Sequence, residues 1–230
     1  MKDAARTLVN RIEFPILLAG LVVAGGLWGF VELMEVARAG TPRSFDADIL
    51  LAFRQAGQPN VPVGPLWLEG AMRDITSLGS ASVLVLITTA TIIYFLLVRR
   101  WATALLIFVA VAGGQVLSSL LKVGIDRPRP ELVSHLVTET SLSFPSGHAM
   151  LSAVTYLTLG SLAARFLPGR VAKIYVLSLS VLVAVLVGVS RIYLGVHWPT
   201  DVLGGWSLGV VWSSVATAWI GRWAAASDRG

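Results

Sequence analysis

Cysteine is absent from all 230 residues, which excludes a disulfide framework and any thiolate metal site. Charge is also scarce. Charged residues make up 13% of the chain, against roughly 25% in a soluble domain, while hydrophobic residues make up 55% and mean hydropathy is +0.76. A chain this short of charge cannot hide its apolar surface from water, so a soluble globular protein is excluded. The net charge of +5 lies in short hydrophilic joints, which suits topology signals and anionic headgroups and not a nucleic-acid stripe. Internal repeats and low-complexity tracts are missing too, so a repeat architecture drops out.

What the sequence does contain is a series of apolar runs, at 14 to about 37, 80–98, 101–121, 149–167, 171–189 and 199–220. Each is long enough, at about 1.5 Å per helical residue, to approach or exceed the roughly 30 Å of a hydrocarbon core. The expected fold is all-α, an integral membrane bundle of six transmembrane helices in a single domain over residues 1–230. Ala37-Arg38-Ala39 before Gly40 has the small-residue pattern of a cleavage site. The apolar stretch before it exceeds the usual 7–15 residues of a signal core, however, so it is read as a span.

An even number of spans puts both termini on one side. Lys and Arg number ten on that side against eight opposite, and the opposite side carries ten acids against three. The expected placement is therefore multi-pass, with cytoplasmic termini. The one long hydrophilic stretch, 41–77, has Phe45, Ile49, Leu50 and Phe53 at helical spacing behind Pro42 and Ser44. Trp67, Leu68, Ala71, Met72 and Ile75 follow in the same way behind Pro65. Two short interfacial helices are expected between the first and second spans.

Polar residues that persist at the ends of membrane spans are functional candidates, and three clusters stand out. Lys122 closes the third run and is followed by Asp126-Arg127-Pro128-Arg129-Pro130. Pro145-Ser146-Gly147-His148 precedes the fourth run, and Ser190-Arg191, His197 and Asp201 lead into the sixth. With six spans, all three clusters share one membrane face. The Ser-Gly pair at a helix start can cradle an anion with free N–H groups and the helix dipole, with His148 at its edge. Asp201 lies one turn beyond His197, so its carboxylate can hold one imidazole nitrogen and aim the other outward. Lys122, Arg129 and Arg191 supply three fixed cations, which suits a doubly charged phosphoryl group and its transition state. The chemistry this suggests is phosphoryl transfer to histidine. His135, by contrast, lies in a loop without such neighbours, and Asp126 and Arg127 are read as an ordinary ion pair or headgroup contact.

The chain resembles the type 2 phosphatidic acid phosphatase superfamily. Its three-part signature reads Lys-x6-Arg-Pro, then Pro-Ser-Gly-His, then Ser-Arg-x5-His-x3-Asp. Lys122, Arg129 and Pro130 match the first part, Pro145, Ser146, Gly147 and His148 the second, and Ser190, Arg191, His197 and Asp201 the third. The resemblance spans about 80–220 and implies a membrane lipid phosphatase needing no cofactor and no metal. Its substrate would be a lipid phosphate or diphosphate of the phosphatidic acid, phosphatidylglycerophosphate or undecaprenyl diphosphate type. It implies that His197 attacks phosphorus, Asp201 orients it, and His148 protonates the leaving alkoxide. Lys122, Arg129, Arg191, Ser146 and the Gly147 amide would bind phosphate oxygens, at an extracytoplasmic site in a cell (inner) membrane. A lipid phosphotransferase would share the phosphohistidine. A transporter is the reading from another class, but the polar groups gather at one face and not along a midplane pathway.

Overall fold

The computed structural model describes the backbone of residues 2–39 and 44–227, and side chains within 17–39 and 44–218. Gly40, Pro42 and Arg229, and the side chains of Lys2, Arg6, Arg11, Trp219, Arg222 and Trp223, lie outside what is described. In chain order the elements are α1 (Lys2–Arg38), α2 (Ser44–Ala52), β1 (Arg54–Gln55), β2 (Gln58–Pro62), α3 (Leu66–Ser77), α4 (Ala81–Leu97), α5 (Trp101–Ile125), α6 (Gly147–Phe166), α7 (Arg170–Tyr193) and α8 (Pro199–Ser227).

Local chemistry sets the breaks between the long helices. Ser80 caps α4 and Ser146 caps α6, each side chain accepting from the backbone N–H three residues on. Asp126 ends α5 in the left-handed region at φ 54°, and Gly169 precedes α7 at φ 77°. Pro199 opens α8, where a missing N–H costs nothing.

Among the described residues, Leu17–Arg38, Trp101–Ile125, Gly147–Phe166 and Arg170–Tyr193 are long and apolar enough to cross a membrane. Leu66–Ser77 with Ala81–Leu97, bent by 44°, makes a fifth if the pair is one span. The chain is a mostly helical membrane protein. It departs from the all-α expectation in one place, an antiparallel hairpin that pairs Arg54 with Pro62 and Gln55 with Gln58. Gly57 makes its turn at φ 73°, and a two-residue strand is too short to leave a period-2 pattern in the sequence.

Helix α6 is the hub, packing against α4, α5, α7 and α8. It has 61% of its apolar window buried, against 6% for α1. Where helices meet in lipid, small residues let backbones approach, and α8 provides them. A Cβ on Gly205 would stand 2.8 Å from the Ser146 carbonyl oxygen and 3.1 Å from the Ala149 Cβ. One on Gly209 would stand 2.7 Å from the Ala153 Cβ. The first of these contacts holds the N-terminus of α6 against the start of α8. Gly205→Ala should therefore cost about 1–3 kcal/mol, read as a lowered melting temperature in detergent. Gly70→Ala, on α3 with nothing within 4 Å, should be neutral or slightly stabilising. Equal melting temperatures for the two variants would remove the close-packing argument.

At one end of the bundle the segment from α2 to α3 lies against the α5–α6 and α7–α8 loops. Arg54 donates to the Tyr193 carbonyl at 2.9 Å, Tyr193 Oη to the Val63 carbonyl at 2.9 Å, and Leu136 N–H to the Leu194 carbonyl at 3.0 Å. Gly195 is needed there twice over. Its φ is +78°, and a Cβ would lie 2.7 Å from Arg54 Nη2 and 2.8 Å from the Ser134 carbonyl.

Candidate active site

His197 follows the end of α7 in a five-residue connection to α8, and its side chain is 1% exposed. Asp201, in the first turn of α8, lies four residues on, and its Oδ2 is 3.3 Å from His197 Nδ1. Two further donors fix that oxygen: the Trp198 N–H at 2.9 Å and Ser143 Oγ at 2.5 Å. Ser143 Oγ also stands 3.4 Å from His197 Nδ1. With Nδ1 turned to a carboxylate, Nε2 is the nitrogen left to react. It faces Arg129, whose Nη1 lies 3.2 Å away and also donates to the Val196 carbonyl at 2.6 Å. Burial, followed by the positive charges of Arg129, Arg191 and Lys122, holds His197 well below the ordinary imidazole range. A neutral imidazole results, with the Nε2 lone pair turned toward the Arg129 guanidinium, which donates to it.

Lys122, Arg129 and Arg191 lie around Ser141 and Glu139. Arg129 is fastened by Nε to the Ser141 carbonyl at 2.7 Å and by Nη2 to Ser141 Oγ at 3.1 Å. Lys122 donates to the Leu142 carbonyl and to Ser141 Oγ. Arg191, 1% exposed, donates to Thr76 Oγ1 at 3.1 Å and to Glu139. Glu139 sits among these groups, bonded to Arg191 and 3.6 Å from Arg129. Burial alone would raise its carboxyl, but the guanidinium groups of Arg191 and Arg129 pull it below the usual range. An anion of this chain is thus already held where the cations meet.

Ser146 is fully buried as the cap of α6, with its N–H on the Asp201 carbonyl at 3.0 Å. The helix start it creates leaves the Gly147 and His148 N–H groups without intrahelical partners. A Cβ on Gly147 would be 3.7 Å from Lys122 Cε, so this backbone runs beside the lysine. His148 is half-buried, with its ring against Gly79. Exposed His135 is tied to the Pro130 carbonyl at 2.6 Å, apart from these groups. No group of three or more potential metal-ligating side chains occurs among the described residues.

Four residues had no reading of this kind in the sequence, and one was read differently. Asp46, Thr76, Glu139 and Ser143 reach the site from other parts of the chain. Arg127 is no headgroup contact: it is 4% exposed and donates to Asp201 Oδ1 at 2.6 Å, Thr200 Oγ1 at 2.7 Å and Asp46 Oδ2 at 2.9 Å. Its burial depends on Asp46, Thr200 and Asp201, which spacing along the chain does not show. Asp126, beside it, is exposed.

A family model described as the PAP2 superfamily matches residues 101–225. Phosphatidylglycerophosphatase B of Bacillus subtilis (strain 168) is 40% identical over 149 residues, covering 63% of this chain and 71% of that protein. Undecaprenyl-diphosphatase of Sulfolobus acidocaldarius is 40% identical over 70 residues, 30% of each chain. Among solved structures, the transmembrane PAP2 type phosphatidylglycerolphosphate phosphatase from Bacillus subtilis superposes with a TM-score of 0.76 at 32% identity, covering 88% of this chain and 97% of that one.

Proposed function

We propose, for a chain that belongs to the PAP2 superfamily, that His197 is the nucleophile of a metal-independent lipid phosphate phosphatase. The chain is a membrane phosphatase of lipid phosphate esters, a phosphoric ester hydrolase. The observation that carries the mechanism is the orientation of one imidazole: Nδ1 against Asp201 at 3.3 Å, Nε2 against Arg129 at 3.2 Å. In the first step Nε2 attacks phosphorus, the N–P bond forms, the ester P–O bond breaks, and His148 gives a proton to the leaving oxygen. In the second step His148 takes a proton from water, whose oxygen attacks phosphorus, and the N–P bond breaks. Lys122, Arg129 and Arg191, with Ser146 and the Gly147 amide around the start of α6, bind the phosphate oxygens and the charge that develops on them. The seating of the Glu139 carboxylate between two guanidinium groups supports an anion-binding role for this cradle.

The membrane placement follows the same reading. α1 and α4 to α8 are six spans of one domain, with α2 and α3 as interfacial helices over the site. Helix α8 packs on protein along its glycines, Gly204 against Phe144 and Gly205 and Gly209 against α6. Termini are cytoplasmic and the site opens at headgroup depth on the extracytoplasmic face of the cell membrane. Cysteine introduced as His135→Cys should react with a membrane-impermeant thiol reagent in intact cells, and Pro168→Cys should not. The reverse pattern overturns the orientation.

The substrate is a long-chain lipid bearing a terminal phosphate or diphosphate. Detergent-purified protein should release phosphate from phosphatidic acid, phosphatidylglycerophosphate or undecaprenyl diphosphate in the presence of chelator. The preferred lipid should show a higher kcat/KM than a short soluble ester with the same leaving group. A higher value for the soluble ester removes the lipid reading.

A further inference from the structure

Asp46 lies on α2, outside the residues that match the family model, and is completely buried. Its Oδ1 accepts from the Thr200 N–H at 2.9 Å, and its Oδ2 from Thr200 Oγ1 at 2.8 Å and Arg127 Nη2 at 2.9 Å. Arg127 in turn holds Asp201 Oδ1 at 2.6 Å, and the other oxygen of Asp201 holds His197. A chain of charges therefore runs from α2 to the imidazole: carboxylate, guanidinium, carboxylate, histidine.

We propose that Asp46 is a positioning residue for catalysis: it balances Arg127, so that Asp201 keeps the negative charge that orients and polarises His197. This deepens the phosphohistidine reading and rests on it.

Charge balance among buried groups gives Asp46 this role. Asp46 (−1), Arg127 (+1) and Asp201 (−1) sum to −1 on the Nδ1 side of His197. Arg127 alone against Asp201 would sum to zero, and the imidazole would face a neutral pair. A buried carboxylate with no net charge behind it attracts the N–H of His197 less, so Nε2 becomes less basic and a weaker nucleophile. An arginine paired with only one carboxylate would also leave its second nitrogen unmatched in the interior. A merely structural Asp46 would need only its contacts with Thr200, which anchor the start of α8. The bond to Arg127 goes to the guanidinium that touches the catalytic carboxylate.

The test is the acidic limb of the kcat/KM–pH profile. Asp46→Asn keeps one acceptor oxygen for the Thr200 N–H and turns the other into an amide donor, so it removes the charge together with the bond to Arg127. The expected result is a kcat roughly 10- to 100-fold lower with KM little changed, and a limb displaced to lower pH, because a histidine without its counter-charge protonates less readily. The other charged groups around the ring, Lys122, Arg129, Glu139, His148, Arg191 and Asp201, are the same in both proteins, so the displacement isolates Asp46. Arg127→Gln is the converse variant and covers a failure of the first to fold. It leaves a sum of −2, so the limb should move to higher pH. The double variant returns the sum to −1 and should bring the limb back toward its original position. A limb that stays in place in every folded variant overturns the proposal. If His197→Ala keeps its turnover, the phosphohistidine reading itself has failed. If that variant is inactive while Asp46→Asn is normal, only the role of Asp46 has failed.

Discussion

His197→Ala should lose phosphate release by about four orders of magnitude or more, the scale on which removal of a covalent nucleophile is felt. The neighbours of His197 explain why no other group substitutes for it. Among the described residues, Ser143 is the hydroxyl that bonds to both His197 and Asp201, and it is buried on the Nδ1 side of the ring. Ser146 Oγ is occupied as the α6 cap. Lys122 and Arg129 are donors fastened to loop carbonyls. Rapid quenching of the wild type during turnover should trap a base-stable, acid-labile phosphate on the protein, and the variant should trap none. Labelled phosphate on His197→Ala under the same quench would sink the mechanism.

His148→Ala should reveal itself through the leaving group. With an alkyl phosphate, whose departing oxygen is a strong base, loss of the general acid should cost about two to four orders of magnitude in kcat. An activated aryl phosphate departs without a proton, so the first step should survive. The second step should not, because His148 also takes the proton from water. The aryl substrate should therefore release its phenol in a burst of about one equivalent while free phosphate lags and the phosphoenzyme accumulates. Equal loss on both substrates, with no burst, would place His148 outside the reaction.

The sequence displayed the helices well because each apolar run is longer than a turn or loop can be, and Ser80, Gly169 and Pro199 mark ends by local chemistry. It displayed the three clusters because their members lie close along the chain, at span ends where polar residues are costly. What it hid was contact across the chain. Ser143 reaches Asp201 across 58 positions, Arg191 reaches Glu139 across 52, and Thr200 reaches Asp46 across 154. No period or motif carries such distances. Arg127 stood in plain view beside the signature, yet its burial depends on α2 closing over it. The hairpin at 54–62 was invisible for a different reason, being held by one short strand pair and by Arg54 reaching Tyr193.

The bond between Asp46 and Thr200 also sets a schedule. A chain made from its N-terminus produces residue 46 early and residue 200 near the end, so α2 and its carboxylate must wait, hydrated, through the making of five further helices. Arg127 appears in the interval with one of its two carboxylates. Only when α8 arrives does Asp201 meet the guanidinium, the Thr200 N–H meet Asp46, and the imidazole of His197 acquire its orientation. A nascent chain halted before its last helix therefore carries Lys122, Arg129 and Arg191 but neither Asp201 nor an oriented His197, and it should release no phosphate.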